Sequence, residues 1–202
     1  MFSQEKVIAV FDFDGTITSR DTFIDFLLHS FGTKRFLKCL FVNSPVLILY
    51  FFRLIPNWQA KQKLFSHYFK GMKLDDFNIL CENYVPRLDL IIRTEALDKI
   101  KEYKDDRSTK VIILSASMEN WIKPWANKYG IETISTVLEI TEDNTLTGRF
   151  RSLNCYGQEK VNRLVEKYPH RKSYKLFAYG DSRGDKELLA YADEAFYRHF
   201  KN

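Results

Sequence analysis

Two carboxylates stand two residues apart at Asp12-Phe13-Asp14, directly after the apolar run Val7–Phe11. In an extended chain, residues i and i+2 point to the same side, so a buried strand would deliver both acids to one place as it emerges. Gly15 permits a sharp turn there, and Thr16 and Thr18 add hydroxyls. Carboxylates at the edge of a core are costly unless they are paired, hydrogen-bonded or on a metal. The carboxyl ends of strands are also where open α/β sheets bind ligands. Three further segments carry polar groups at comparable positions. Ser115-Ala116-Ser117 closes the apolar run 111–114, and Lys160 falls in the first turn of a helix expected over 157–168. Gly180-Asp181-Ser182-Arg183-Gly184-Asp185 sets two acids four apart at a strand-to-helix turn. Acids from two strand ends form a hard, oxygen-rich site of the kind Mg²⁺ prefers. A lysine and a hydroxyl beside it would hold an anion such as phosphate.

The elements that must position these groups alternate. Strands are expected over 7–11, 111–114, 132–137, 175–179 and 194–197, with helices over 119–129, 157–168 and 185–191 between them. A hairpin over 138–150 turns near Asp143-Asn144. This alternation implies a doubly wound parallel sheet of the α/β class. One region breaks it. Residues 20–93 read as helices throughout: from Asp21 to Gly32, from 34 to 42, from Asn57 to Phe69, and from Asp75 or Asp76 to a stop before Pro86. The chain therefore divides into a core of residues 1–19 and 94–202 and a helical cap of residues 20–93, inserted after the first strand.

Composition narrows the function. The chain has 202 residues, 45% of them hydrophobic, and a net charge of +5, enough for one domain with a small insert. The modest positive charge favours anionic substrates or surfaces. No basic block, zinc-finger spacing or RNP-type strand is present, which argues against nucleic acid as a partner. Cys39, Cys81 and Cys155 are isolated and odd in number, the pattern of reduced thiols rather than a disulfide frame or zinc site. The first apolar run belongs to the strand carrying Asp12, so no signal peptide is expected and the cytoplasm is the expected location.

The four segments together resemble the haloacid dehalogenase (HAD) superfamily, in its phosphoserine-phosphatase-like branch. Asp12-Phe13-Asp14-Gly15-Thr16-Ile17-Thr18 is similar to that superfamily's first motif, and Leu114-Ser115-Ala116-Ser117 to its second. Gly157-Gln158-Glu159-Lys160 resembles the segment bearing its lysine, and the run 180–185 its GDxxxD motif. The resemblance implies a Rossmann-like core and a Mg²⁺-dependent phosphatase acting on a small phosphorylated substrate. In that scheme Asp12 is the nucleophile and Asp14 the general acid and base. Mg²⁺ lies on Asp12, the backbone carbonyl of Asp14, and Asp181. Ser115 and Lys160 bind the phosphoryl oxygens, helped by backbone N–H groups around Gly15 and Ala116, while Asp185 orients Lys160 or a metal-bound water. Ser117, Thr18, Arg183 and His170 read as turn, cap or surface residues.

Two features bear on the substrate. Asp21 stands where the phosphoserine phosphatases carry a glutamate that helps hold the substrate amine, so it is the candidate substrate residue, although it reads more readily as a helix cap. No arginine of the insert has a context matching the one expected to grip a serine carboxylate. The run 36–55 is aromatic and aliphatic almost throughout. Each half is too short to span a bilayer. Burial in the cap's own core is the favoured expectation, and a hairpin dipping into a membrane surface, flanked by basic residues, is the other. The second would place the protein at the inner face of the membrane and admit a lipid phosphate, such as a phosphatidylglycerophosphate, as substrate. Two other classes compete: a phospho-accepting receiver module, which needs no cap, and a silent membrane-associated binding protein.

Overall fold

The structure, a computed structural model, describes residues 6–106 and 108–201; residues 1–5, 107 and 202, which the division of the chain also assigned to the core, lie outside them. Its centre is β1 (Val7–Phe11), whose last four residues are buried. A run of apolar residues with no polar face requires both faces of its sheet to be covered, and β1 is in addition paired along both edges. It pairs in parallel with β2 (Thr109–Met118), Val10 opposite Ile112, and with β6 (Lys175–Gly180), Val10 opposite Ala178. Beyond them lie β3 (Glu132–Thr136) and β7 (Glu194–Tyr197), giving the parallel order β3-β2-β1-β6-β7. Strand order reverses at β1, so the carboxyl ends of β1, β2 and β6 border the crevice where such sheets bind ligands. β4 (Leu138–Ile140) and β5 (Leu146–Phe150) form a separate antiparallel hairpin with Asn144 at positive φ.

The helices between β1 and β2 are α1 (Thr22–Val42), α2 (Ser44–Phe51), α3 (Asn57–Phe69), α4 (Leu74–Asp89) and α5 (Thr94–Asp105). The α1 span is two helices broken at Gly32, which is extended at φ 74 and ψ 165, a conformation open to glycine and costly for other residues. The remaining helices are α6 (Glu119–Lys128), α7 (Gln158–Lys167) and α8 (Lys186–Tyr191). One hydrophobic cluster runs from the insert into the sheet: Phe26, Phe65, Phe69, Phe77 and Tyr84 are continuous with Trp121, Phe13 and Ile113.

Two expectations need correction. α4 does not stop before Pro86 but continues to Asp89. A proline inside a helix costs about 3 kcal/mol, and here the burial of Tyr84, Val85 and Leu88 offsets it. The run 36–55 is not a buried core either. No residue of α2 is buried, and Phe41, Val42, Ile48, Phe51, Phe52 and Leu54 are each more than half exposed. The turn between α1 and α2 is fixed by the buried Asn43, whose Nδ2 donates to the Cys39 carbonyl at 2.8 Å; Phe36, Cys39, Leu40 and Leu47 pack the inner side of the hairpin against the core, and its outer side is open. Among the described residues no helix is long and apolar enough to cross a membrane.

An ion pair between the buried Asp25 and the partly exposed Arg87 ties α1 to α4. Asp25 accepts from Arg87 Nε at 3.0 Å, Arg87 Nη2 at 2.8 Å and Tyr84 Oη at 3.1 Å. Burial pushes its carboxyl up, but these hydrogen bonds outweigh it and hold Asp25 below the usual carboxylate range. A depressed folded-state pKa contributes stability above the unfolded value and loses it as pH falls through the folded one. Asp25→Asn should therefore lower stability by about 1–3 kcal/mol at neutral pH. In urea titrations the gap to the parent should close as pH drops below about 4; a gap independent of pH would contradict the assignment.

Candidate active site

The cleft at the carboxyl ends of β1, β2 and β6 has a volume of about 450 Å³, and Asp12, Asp14, Gly15, Ala116, Lys160 and Asp181 line it. Asp12 is the first residue beyond β1 and is held there by its N–H, which donates to the Tyr179 carbonyl at 2.9 Å. Gly15 follows at φ +81. A Cβ there would stand 2.5 Å from Asp181 Oδ2, so both the turn and the close approach of two acidic strand ends require glycine.

Lys160 is the electrostatic hinge of the site. It is 2% exposed, and its Nζ donates to Asp12 Oδ1 and Asp185 Oδ1, both at 2.6 Å. Burial alone would pull its pKa down, but the two carboxylates hold it far above the usual lysine range. Asp185, fully buried, uses its other oxygen to accept from the Asp181 N–H at 3.1 Å, the Ser182 N–H at 3.0 Å and Ser182 Oγ at 2.9 Å. Asp185 therefore fixes both the lysine and the loop carrying Asp181. Gly180 makes room for it, since a Cβ there would lie 2.5 Å from the Asp185 Cβ. Removing one partner of a buried ion pair costs about 3–5 kcal/mol. Lys160→Met should destabilise the protein by about that amount, read as a lower urea midpoint; a midpoint unchanged from the parent would mean that the acids do not depend on this lysine.

Carboxylate oxygens of Asp12, Asp181 and Asp185 lie within 4.8 Å of one another. Burial pushes Asp12 up to about 8, Asp185 and Asp14 push the same way, and Lys160 pulls against them. Even with Lys160 and Lys201, whose Nζ is 2.6 Å from Asp181 Oδ2, three acids face two ammonium groups. An oxygen-only cluster of this kind suits a hard divalent cation such as Mg²⁺.

The Asp14 carboxylate points away from that cluster. It accepts from the Thr22 N–H at 2.7 Å and Thr22 Oγ1 at 2.5 Å, and from the Ser117 hydroxyl. Thr22 is the first residue of α1 and also accepts from Trp121 Nε1 at 3.2 Å. The two acids of the first segment thus occupy different surroundings, one against Lys160 and the other at the base of the insert.

The other predicted residues fall as follows. Ala116 lines the cleft, and its carbonyl accepts from Lys61 Nζ at 3.2 Å. Ser115 lies beneath it, fully buried, with Oγ accepting from the Ser117 N–H at 3.0 Å. The Gly15 N–H donates to Thr18 Oγ1 at 3.3 Å. Asp21 caps α1 by accepting from the Ile24 N–H at 3.1 Å and also borders the cleft. Thr18 bonds within its own turn, and Arg183 and His170 are exposed. Sequence reasoning did not place Thr22, Lys61, Asn57 and Lys201 at the site, and read Ser117 as a turn, cap or surface residue. Its spacing of two from Ser115 was the one available signal.

Known proteins share this chain's sequence and fold to differing degrees. "Protein CicA" of Caulobacter vibrioides is 31% identical over 202 residues, covering 98% of this chain and 88% of that protein. A Bordetella pertussis Tohama I protein with unknown function superposes with a TM-score of 0.75 at 18% identity, over 93% of this chain and 87% of that one. A substrate-bound phosphoserine phosphatase does so with a TM-score of 0.67 at 18% identity, over 96% and 87% of the two chains. The family model for haloacid dehalogenase-like hydrolases matches residues 9–190, from β1 through the GDxxxD turn and most of α8. With all four acidic, hydroxyl and lysine segments gathered at the sheet's carboxyl edge, the chain belongs to the haloacid dehalogenase-like hydrolase family.

Proposed function

We propose that this hydrolase is a Mg²⁺-dependent phosphomonoesterase working through an aspartyl-phosphate. The observation that carries the reading is the Asp12 carboxylate held 2.6 Å from a buried Lys160 on the floor of an open cleft. An Asp12 oxygen attacks phosphorus while the ester P–O bond breaks, and Asp14 gives its proton to the departing alcohol. Asp14 then takes a proton from water, which attacks the aspartyl-phosphate and releases phosphate. Lys160 neutralises the phosphoryl oxygens. Ser115 uses its oxygen lone pair for the Ser117 N–H, which leaves its own O–H to donate to phosphate. Backbone N–H groups around Gly15 and Ala116 assist in holding the phosphoryl oxygens. Mg²⁺, when bound by Asp12, the Asp14 backbone carbonyl and Asp181, offsets the repulsion between carboxylate and phosphate. Residues 20–93 act as the cap over this cleft, with Asp21 at its border.

The likeness to a phosphoserine phosphatase supports a phosphate ester as the substrate class. The test is phosphate release from phosphoserine, sugar phosphates, nucleoside monophosphates and detergent-dispersed phosphatidylglycerophosphate, with Mg²⁺ and with EDTA. Turnover of at least one ester should fall by roughly 10³-fold or more in EDTA. No turnover of any of them with Mg²⁺, or turnover indifferent to EDTA, would overturn the reading.

A further inference from the structure

A helix that is apolar all round is ordinarily buried, and α2 is the exception in this chain. Its sequence Ser44–Phe51 is SPVLILYF, yet none of it is buried. The exposure extends to both sides: Phe41 is 81% exposed, Phe51 79% and Leu54 70%. Contiguous apolar surface of this kind marks an interaction site. Its charge is one-sided. Between Asp25 and Asp75 there is no acidic residue at all. Lys34, Arg35, Lys38, Arg53 and Lys63 are exposed, and none of the five has an acidic partner among the described residues.

We propose that the α1–α2 hairpin docks on an anionic lipid bilayer, with its aromatic and aliphatic side chains in the interface and the basic residues against the headgroups. The charge pattern selects this occupant. A protein partner would have to be acidic over the whole rim, whereas an anionic membrane meets the requirement everywhere at once. Length agrees: an eight-residue helix of about 12 Å cannot cross a bilayer but can lie in its interface. Placement ties the surface to the site. Asn57 Nδ2 donates to Tyr50 Oη at 3.4 Å, and Asn57 lines the catalytic cleft. The docked hairpin therefore brings the cleft's mouth to the level of lipid headgroups, where a phosphomonoester at the end of a lipid would be within reach. The docking goes beyond the phosphatase reading and does not depend on turnover.

The test is co-sedimentation of the full chain with vesicles of equimolar phosphatidylcholine and phosphatidylglycerol, and with phosphatidylcholine alone. Trp58 serves as a second readout. It is 40% exposed beside the hairpin, while Trp121 and Trp125 are fully buried. The protein should sediment with the anionic vesicles and shift Trp58 emission to the blue, with binding weakened by salt. A Phe41→Ser, Phe51→Ser double variant should bind at least about tenfold more weakly while releasing phosphate from soluble esters as the parent does. Three results would overturn the proposal: a parent that stays in the supernatant at low salt, a double variant that binds as well as the parent, or equal binding to neutral vesicles. A dimer in sedimentation equilibrium that dissociates in the double variant, with no vesicle binding, would assign the surface to a second copy instead. If vesicles bind and no ester is turned over, the docking stands and the phosphatase reading falls.

Discussion

Asp12→Asn should reduce phosphate release by roughly 10⁴-fold or more while leaving the fold in place. The amide has nearly the shape of the carboxylate but lacks the anionic oxygen that would bond to phosphorus. The backbone link from residue 12 to the Tyr179 carbonyl is untouched by the change. Lys160 also keeps Asp185 as a partner at 2.6 Å, so its charge is not stranded. The loss should therefore appear in kcat, with circular dichroism and the urea midpoint close to the parent. Substantial Mg²⁺-dependent turnover by this variant would mean that another group attacks phosphorus.

Asp14→Asn should cost about 10²–10⁴-fold, and the cost should depend on the leaving group. A poor leaving group such as an alkyl alcohol needs a proton as the P–O bond breaks, whereas nitrophenolate departs without one. Loss should be greatest for alkyl phosphates. For p-nitrophenyl phosphate the variant should release one equivalent of nitrophenolate in a burst and then stall, because water still lacks its base. The geometry favours a clean experiment. Asn at position 14 retains an oxygen to accept from the Thr22 N–H, now 2.7 Å from the carboxylate, so the start of α1 keeps its anchor. Equal losses across leaving groups, with no burst, would count against the acid–base role.

What could be read from residues alone was the part written in local patterns. β1, β2 and β6 announce themselves as unbroken apolar runs ending in polar clusters, and the alternation with helices fixes a parallel sheet. Asp12 and Asp181 were legible because each directly follows such a run, Asp185 through the GDxxxD turn after β6, and Lys160 through its place in the first turn of the helix before that strand. The grip of Thr22 and Ser117 on Asp14 was not, since it depends on how α1 lies across β2. Lys201 has no motif around it and meets Asp181 only through the fold. Pro86 misled because local propensity was outweighed by the burial of Leu88 and its neighbours. The run 36–55 misled in the opposite direction: hydropathy alone suggests a core, and only the packing leaves Phe41 and Phe51 facing outward.

The most direct test of the account is to trap the phosphorylated enzyme. Acid quenching within the first turnover of a reactive phosphomonoester, followed by peptide mass analysis, reads which residue carries phosphate. The account predicts a hydroxylamine-labile acyl phosphate on Asp12, formed with Mg²⁺, absent with EDTA, and accumulating in Asp14→Asn. Phosphate on another residue, or rapid turnover with no phosphoenzyme at any time, would contradict it.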